Sequence, residues 1–395
     1  MTISGSIIEI IPESLKPLLR ILLKYLLMLK RNPIKEYKLK QIQEKLLREN
    51  YLPTASKLIV FLTPGSDRVN GGILSISSIY KETRKLKRIH GAEVIMCTIP
   101  GDPPLLRYTK FNNQNYIYLF SQVLSYFQKL ERIIIHIPEY SVPNFLRSIS
   151  NKDRLLLNKI ADLLFNIMLQ NIKLLPDKES IDVLKNWGKT TCTTAHEQYS
   201  TNEMRKNLGI PLHKLSTYVS PEQYDKKSYN EKENLMIVSP DVHPKKRYIL
   251  DFIHKQLPQL MIQVIQNLSY EEYKEIISRA KWALTFGEGL DGYFVETIFS
   301  GGVSFSVYNP CFFTEDFRSL RTVYDNYVVL IRKICSDMME LDQDVAYTNY
   351  QNKQYNLCCK YYSHKKYVNN LESFYKGEYT YKSAVETLPI LSHPC

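Results

Sequence analysis

The sequence contains no uninterrupted apolar stretch of transmembrane length, so no membrane-spanning helix is expected. It also shows no secretory signal, because Lys16, Arg20 and Lys24 interrupt the first apolar run and no small-residue cleavage site follows. The seven cysteines include no Cys-x-x-Cys pair, which indicates a reducing compartment without a structural zinc site. Glycine is sparse, at 14 of 395 residues, and a collagen-like chain is excluded. These absences predict a cytoplasmic protein.

The sequence does have enough apolar residues for two cores, and an excess of positive charge. With 44% hydrophobic residues over 395 positions, two domains are expected. The 52 basic and 40 acidic residues leave a net charge of +12, which indicates an anionic partner such as a nucleotide sugar or an anionic membrane. No nucleic-acid recognition motif accompanies this charge, so we do not expect a nucleic acid as the partner.

The N-terminal region contains two candidate basic helices. Residues 14–31 place leucines on one side and Lys16, Arg20 and Lys24 on another, which is typical of a helix lying in the surface of an anionic bilayer. A helix packed on the first domain would show the same periodicity. A second basic helix is expected over 34–49. We therefore expect a basic helical extension over 1–50, with a possible anionic membrane contact through 14–31.

From Lys57 onwards the sequence alternates between strands and helices, as in an α/β fold with parallel sheets. We expect a first Rossmann-like domain over 51–225, a polar linker at 221–234, a second Rossmann-like domain over 233–345 and C-terminal helices over 346–395. Within the first domain, residues 151–171 are predicted to form one helix.

The stretch WALTFGEGLDGYFVETIFSGGVSFSVYN, residues 282–309, predicts a strand, a glycine loop, a short helix and a second strand. In such a unit the loop and the helix N-terminus present free backbone N–H groups and the positive end of the helix dipole, which suit a phosphate. Glu288 and Glu296 lie in the loop and the helix with seven residues between them. A chain of this length should show roughly one such pair of glutamates by chance, so the spacing alone is weak.

The sequence leading into this stretch makes the pattern more specific. The run from Leu268 through Ala280 into Gly287-Glu288-Gly289 resembles the C-terminal domain of the retaining family 4 glycosyltransferases of GT-B architecture. The signature of that family is Glu, seven residues, Glu, and here it stands as E-GLDGYFV-E, with Leu290 and Asp291 preceding Gly292. The resemblance implies two Rossmann-like domains facing a cleft, with C-terminal helices that cross back onto the first domain.

The resemblance also implies roles for residues of the second domain. Glu288 would bind hydroxyls of the donor sugar as a catalytic residue, and Glu296 would accept hydrogen bonds from the ribose hydroxyls. Gly289 and Gly292 would bring backbone N–H groups to the phosphates. A basic loop after the first strand of this domain, in which Pro240 takes the place of the family's arginine, would neutralise the diphosphate through Lys245, Lys246 and Arg247. The alternative interpretation of this loop is a solvated basic turn.

In the first domain the resemblance assigns Gly71 and Gly72 to donor binding, as the glycine pair that opens the first helix, although ordinary turn glycines would look the same. His136, in the apolar run 133–137, is predicted as a second catalytic residue that contacts the donor sugar or the acceptor, with a structural role at the strand end as the alternative. Glu139 and His196 are predicted acceptor contacts.

The sequence therefore predicts a retaining, metal-independent glycosyltransferase of the hexosyltransferase type. Its substrates would be a nucleotide sugar, with no further cofactor, and a saccharide or lipid-linked saccharide, in surface polysaccharide or glycoconjugate biosynthesis. Location would be cytoplasmic, on the inner face of the cell membrane if 14–31 binds there. Asp342-Gln343-Asp344 has the spacing of a metal-binding Asp-x-Asp motif but follows no apolar strand. A sugar-nucleotide epimerase, a phosphorylase and a non-catalytic partner subunit remain alternatives.

Overall fold

A computed structural model describes residues 32–382 of the chain. Its first sheet has seven parallel strands within this range, in the order β3-β2-β1-β4-β5-β6-β7. The strands are β1 (Lys57–Thr63), β2 (Glu93–Thr98), β3 (Ile117–Leu119), β4 (Arg132–Pro138), β5 (Asp162–Leu169), β6 (Lys189–Thr194) and β7 (Leu212–Lys214). The order reverses between β1 and β4, where ligands bind in open parallel sheets.

The second sheet of the described chain has five parallel strands in the order β12-β11-β10-β8-β9. Its strands are β8 (Glu233–Val238), β9 (Met261–Val264), β10 (Ala280–Leu284), β11 (Val303–Val307) and β12 (Val323–Tyr324). Here the order reverses between β8 and β10. Each sheet therefore has its own topological switch point.

Helices cover both sheets and follow the strands in the manner of βαβ units. Those of the first part are α1 (Pro33–Asn50), α2 (Gly71–Lys85), α3 (Lys87–His90), α4 (Phe120–Tyr126), α5 (Val142–Ser148), α6 (Asn151–Leu157), α7 (Lys178–Trp187) and α8 (Asn202–Leu208). Those of the second part are α9 (Lys246–Gln256), α10 (Tyr270–Arg279), α11 (Gly292–Phe299), α12 (Tyr327–Leu341), α13 (Asp344–Tyr361) and α14 (His364–Lys376).

The single helix predicted over 151–171 is wrong. The structure has the short helix α6 followed by the central strand β5, which pairs with β4 and β6. From Leu163 to Leu169 every residue of β5 is buried, because apolar side chains cover both faces of the sheet. A strand buried on both faces loses its alternation of polar and apolar residues, and a short apolar run of this kind cannot be told from a buried helix by periodicity.

The chain returns to the first domain at its C-terminal end. Helix α13 packs against the second domain, with Leu357 and Cys358 in the same apolar cluster as α11. Helix α14 packs against the first sheet, with Leu371 and Phe374 in a cluster that contains residues of α2 and β4. The predicted architecture of two Rossmann-like domains facing a cleft, with C-terminal helices crossing back, is confirmed.

Helix α1 confirms the second of the two predicted N-terminal helices. Asn32 caps it by accepting hydrogen bonds from the N–H groups of Ile34 and Lys35, and Pro33 occupies its first position. Gln43 and Leu47 bury one side of α1 against the first domain. The predicted helix over 14–31 lies outside the described residues. Within 32–382, no helix combines the length and apolar character that a membrane crossing needs.

Candidate functional site

A cavity of about 800 Å³ lies between the two domains, where the carboxyl ends of both sheets face each other. The first domain contributes the residues that follow β1, β4, β5, β6 and β7, and the second contributes those that follow β8, β9 and β10. Tyr362 and Tyr367 of the C-terminal region complete the wall. Both topological switch points open onto this cavity, the usual ligand position in open α/β sheets.

The glycine loop after β10 forms part of the second-domain wall. Gly287 and Gly289 have positive φ angles of 68° and 80°, which favour glycine. A side chain at 289 would also collide, since a Cβ atom there would lie 2.7 Å from the Phe313 ring and from Ser306 Oγ. The loop is closed by the Thr285 hydroxyl, which donates to the Gly289 carbonyl at 2.7 Å. Gly289 shapes this loop but does not itself line the cavity.

Asp291 starts helix α11. Its side chain accepts a hydrogen bond from the Phe294 N–H at 3.0 Å, which makes it the N-cap residue. The departure of this sequence from the family signature at Asp291 therefore has a local structural explanation.

Glu288 faces the cavity from the glycine loop. Its Oε1 atom accepts a hydrogen bond from Asn171 Nδ2 of the first domain at 3.3 Å, so the contact crosses the cleft. Burial and the neighbouring Asp241 carboxylate raise the pKa of Glu288 to about 7, while Lys173 acts in the opposite direction. This carboxyl group is thus positioned by the opposite domain.

Glu296 lies deeper in the same wall, on α11, and is only 3% exposed. Its Oε2 atom accepts a hydrogen bond from the Tyr270 hydroxyl at 3.2 Å, and that hydroxyl lies 3.0 Å from the Tyr224 hydroxyl. Burial raises the pKa of Glu296 to about 7. A Cβ atom at Gly292 would lie 2.7 Å from Glu296 Oε1, so glycine leaves room for this carboxyl group.

The predicted glycine pair of the first domain opens helix α2 beside the cavity. Asn70 caps this helix by accepting a hydrogen bond from the Ile73 N–H at 2.9 Å. A Cβ atom at Gly71 would meet nothing within 4 Å, whereas one at Gly72 would lie 2.8 Å from Gln170 Oε1. Gly71 and Gly72 both line the cavity, and Gly72 allows the close approach of the Gln170 side chain, which donates to the Gly72 carbonyl at 3.2 Å.

Glu139 follows β4 directly and lines the cavity from the first-domain side. It is 1% exposed, and its Oε1 atom accepts a hydrogen bond from the Asn171 N–H at 3.0 Å. Its Oε2 atom is buried and has no hydrogen-bond partner within residues 32–382. Burial raises the pKa of Glu139 to about 7, and hydrogen bonds from backbone N–H groups only partly oppose that effect.

His196 lines the cavity near the interface of the two domains. Its ring lies 4.9 Å from the Tyr199 ring and 6.0 Å from the Phe312 ring of the second domain, measured between centroids. Burial lowers the pKa of His196 to about 4, so the imidazole is neutral at pH 7. A neutral imidazole can exchange hydrogen bonds with a hydroxyl-bearing ligand but supplies no positive charge.

His136 lies outside the cavity wall, which corrects the expectation that it contacts a ligand. It is 2% exposed and stacks on Phe61 with ring centroids 4.2 Å apart. Asn166 Nδ2 lies 2.9 Å from its Nδ1, and the Tyr375 hydroxyl of α14 lies 3.1 Å from its Nε2. The C-terminal helix seals this histidine into the first-domain core, which lowers its pKa to about 3 through burial.

The three predicted cations of the basic loop, Lys245, Lys246 and Arg247, lie outside the cavity wall, whereas Pro240 and Asp241 of the same loop line it. Lys246 donates to the carbonyl groups of Ser239 and Asp241 at 2.6 and 3.0 Å, so its ammonium group holds the loop itself. Lys245 is exposed, and the Arg247 side chain is 94% exposed beside Asp251. None of the cavity-lining residues within 32–382 is a lysine or an arginine. The site as it stands therefore offers carboxyl groups to hydroxyls and no cation to phosphate.

No three His, Cys, Asp or Glu side chains converge to form a metal site in the part of the chain that the structure describes. Asp342, from the Asp-x-Asp pattern, ends helix α12 and accepts a hydrogen bond from Lys281 Nζ at 2.8 Å, away from the cavity.

Sequence reasoning missed Asn171, which contacts both Glu139 and Glu288, and Tyr270, which contacts Glu296. Asn171 follows β5, the strand that was predicted as a helix. Recognising β5 as a strand would have placed Gln170 and Asn171 at its carboxyl end, where polar residues face the cleft in parallel sheets. Tyr270 follows the cap residue Ser269, and its sequence position alone carries no such signal.

Comparisons with solved structures give matches that span both domains. HepE from Anabaena in complex with UDP-glucose is 9% identical, with 81% of this chain and 99% of that chain covered and a TM-score of 0.49. UDP-GlcNAc 2-epimerase from Neisseria meningitidis bound to UDP-GlcNAc is 10% identical, with coverages of 82% and 98% and a TM-score of 0.46. The β-glucosyltransferase of phage T4 is 13% identical, with coverages of 81% and 98% and a TM-score of 0.46.

No protein-family model matches the sequence, and neither does any curated protein. The structural matches are too distant to assign a family or an activity to this chain. Its function must therefore be argued from its own site.

Proposed function

We propose that this protein is a glycosyltransferase that moves a sugar from a nucleotide-sugar donor to a saccharide or lipid-linked saccharide acceptor. The observation that carries the proposal is the cavity between the two switch points, with Glu288 and Glu296 on one wall and Glu139 on the other. Carboxylates accept hydrogen bonds from vicinal hydroxyls, which sugars and riboses supply. The volume of about 800 Å³ suits a ligand of nucleotide-sugar size.

The second-domain wall would hold the donor. Glu296, buried next to Tyr270, would accept from the ribose hydroxyls, and Glu288 would accept from hydroxyls of the transferred sugar. The N-terminus of α11 would face the diphosphate with its backbone N–H groups and the positive end of its dipole. Lys245, which is exposed and follows the cavity-lining Pro240 and Asp241 in the same loop, remains the predicted cation for the leaving diphosphate.

The resemblance to family 4 contributes finer predictions to this proposal. It predicts retention of configuration at the anomeric carbon, which the anomeric proton coupling of the first-formed product tests. It also predicts a hexosyl donor, turnover without an obligatory metal and a role in surface polysaccharide or glycoconjugate biosynthesis. Turnover in the presence of a chelator tests the metal prediction.

A thermal-shift screen with UDP-, GDP-, ADP- and dTDP-sugars tests the proposal most directly. We expect at least one donor to stabilise the wild-type protein, because a ligand that binds only the folded state raises the melting temperature. The Glu296→Gln variant should respond less, since the amide accepts fewer hydrogen bonds from ribose hydroxyls than the carboxylate does. If no donor stabilises the wild-type protein, or the variant responds equally well, the proposal fails.

Release of nucleoside diphosphate separates transfer from the alternative activities. A transferase should release it faster when an acceptor is supplied, whereas an epimerase converts the donor sugar and a non-catalytic subunit only binds the donor. Release that depends on an oligosaccharide acceptor would therefore establish transfer.

Contact with an anionic membrane surface is part of the proposal, on the inner face of the cell membrane. Helix α1 exposes Ile34, Tyr37 and Ile42 on the side opposite Gln43 and Leu47, with lysines at 35, 38 and 45 nearby. Apolar side chains next to lysines suit the boundary of an anionic bilayer.

We therefore expect the purified protein to float with anionic liposomes. Flotation should weaken when Lys16, Arg20 and Lys24 of the preceding segment are reversed in charge, and unchanged flotation would remove the membrane from the proposal.

A further inference from the structure

Glu139 holds an unsatisfied oxygen atom at the cavity wall. Buried polar atoms are nearly always hydrogen-bonded, and leaving one without a partner costs free energy. Yet Glu139 Oε2 is buried without a hydrogen-bond partner in the described range 32–382, while Oε1 is held by the Asn171 N–H at 3.0 Å. The carboxyl group is therefore fixed through one oxygen, and the other has a hydrogen-bonding capacity that no protein group in this range uses.

Asn171 places this carboxyl group opposite the proposed donor site. Its side-chain Oδ1 accepts a hydrogen bond from the Lys173 N–H at 2.9 Å, which orients the amide so that Nδ2 donates to Glu288 at 3.3 Å. One residue thus connects the first-domain carboxyl group to the second-domain carboxyl group proposed to hold the donor sugar. Glu139 and the N-terminus of α11 belong to opposite walls of the cavity.

The groups around Glu139 make it a suitable proton acceptor near neutral pH. Tyr140 follows it in the chain, Tyr199 approaches from the segment after β6, and Glu288 faces it from the second domain beyond Asn171. None of these groups is a cation. Burial dominates, and it raises the pKa of Glu139 to about 7, which lies in the range where general bases are most efficient at physiological pH.

We propose that Glu139 is the general base that removes the proton from the acceptor hydroxyl. The inference rests on the proposed glycosyltransferase function and adds a catalytic role. In this step the acceptor oxygen forms a bond to the anomeric carbon, and the bond from that carbon to the diphosphate oxygen breaks. The bonding electrons leave with the nucleoside diphosphate, and the acceptor proton moves to Glu139 Oε2.

The experiment compares wild-type protein with Glu139→Gln and with Glu179→Gln, which changes an exposed glutamate on α7. The donor is the nucleotide sugar with the largest effect in the four-sugar thermal-shift screen. Release of nucleoside diphosphate is measured with water, ethanol and trifluoroethanol as acceptors. Trifluoroethanol has a much more acidic hydroxyl than ethanol, so the rate of transfer to trifluoroethanol depends less on a general base.

We expect Glu139→Gln to lower kcat with water and ethanol by about 10²–10⁴-fold, with donor KM unchanged. With trifluoroethanol as acceptor, the fold-decrease in kcat of this variant should be at least tenfold smaller than with ethanol. A merely structural role of Glu139 would lower kcat equally with every acceptor. Glu179→Gln should match the wild-type protein. Melting curves of Glu139→Gln check its folding, and Glu139→Asp, which keeps the carboxyl group, should recover part of the lost rate.

Two results would overturn the inference: equal losses with all acceptors, or wild-type rates in Glu139→Gln. A wild-type protein that binds the donor but releases no nucleoside diphosphate would also contradict it, because a base at this position should act on water. If no nucleotide sugar binds at all, it is instead the proposed function that fails.

Discussion

Strand β4 presents two titratable side chains in contrasting environments, His136 within the strand and Glu139 directly after its end. Both are almost fully buried, at 2% and 1% exposure. Phe61 stacks on the His136 ring, and Asn166 and Tyr375 each form a hydrogen bond with one of its two ring nitrogens. Glu139 faces the cavity with one oxygen atom that has no protein partner within the described residues.

The contrast shows that burial alone does not identify a functional residue. What matters is whether the protein itself supplies the hydrogen-bond partners of the buried polar atoms, or whether an atom lacks a protein partner and can take one from a ligand. Helix α14 covers His136, so that residue contributes to the docking of the C-terminal helix on the first domain. No group in the described chain forms a hydrogen bond with Oε2 of Glu139, so this oxygen keeps an unused hydrogen-bonding capacity at the cavity wall.

The largest expected effect comes from removing the cover over His136. Phe374 is 2% exposed, and its ring centroid lies 5.5 Å from that of His136. Phe374→Ala should lower the free energy of unfolding by about 3–5 kcal/mol, because it leaves a cavity in the core. Urea denaturation measures this, with Tyr248→Ala, at an exposed aromatic residue, as the control that should change it by less than about 0.5 kcal/mol. A small loss at Phe374 would mean that α14 does not seal this histidine.

The carboxyl group of Glu139 should make the protein less stable as the pH rises. Its folded pKa of about 7 lies above the ordinary glutamate value of 4.5, so between these values the folded state binds more protons and stability falls with increasing pH. Glu139→Gln should therefore raise the free energy of unfolding at pH 8 by about 2–3 kcal/mol and leave it nearly unchanged at pH 4. Denaturation at both pH values measures this. An equal effect at both would show that Glu139 is not protonated in the folded state near pH 5.

His136 should produce the opposite dependence on pH. Its folded pKa of about 3 lies below the ordinary histidine value of 6.5, so the unfolded state binds more protons between these values and stability falls as the pH decreases. His136→Asn should cost about 1–3 kcal/mol at pH 7, through lost hydrogen bonds and packing, and about 2 kcal/mol less at pH 5. The exposed His254→Asn serves as the control. A cost that is independent of pH would show that His136 can be protonated in the folded protein.

The smallest expected effect concerns the exposed Lys245, which contrasts with both buried groups. If it reaches the donor diphosphate, Lys245→Gln should weaken donor binding by about three- to tenfold, and the difference should shrink at high salt because exposed charges are screened. Titration calorimetry with the donor at two ionic strengths measures this. Arg247→Gln is the matched control, since its side chain projects into solvent beside Asp251. Equal affinity of Lys245→Gln and wild-type protein would remove Lys245 from the donor site.

Several features of the fold could be predicted because they depend on short stretches of the chain. The alternation from Lys57 onwards predicted the α/β fold, and the stretch 282–309 predicted the strand, glycine loop, helix and strand that the structure has as β10, α11 and β11. The same local signal was misleading at β5, because a strand buried on both faces lacks alternation. That error also concealed Asn171, since the polar end of β5 was not expected to face the cleft.

The sequence by itself determined the two-domain α/β architecture and the presence of Glu288 and Glu296 around a glycine loop, because strand runs, glycine punctuation and residue spacing are local properties. Only the tertiary structure decided which polar groups face the cavity. His136 and the Tyr375 that covers it are 239 residues apart, and Glu139 and Glu288 meet only through Asn171. Burial and hydrogen-bond partners depend on elements far apart in the chain, and these determine whether a titratable side chain serves the core or a ligand.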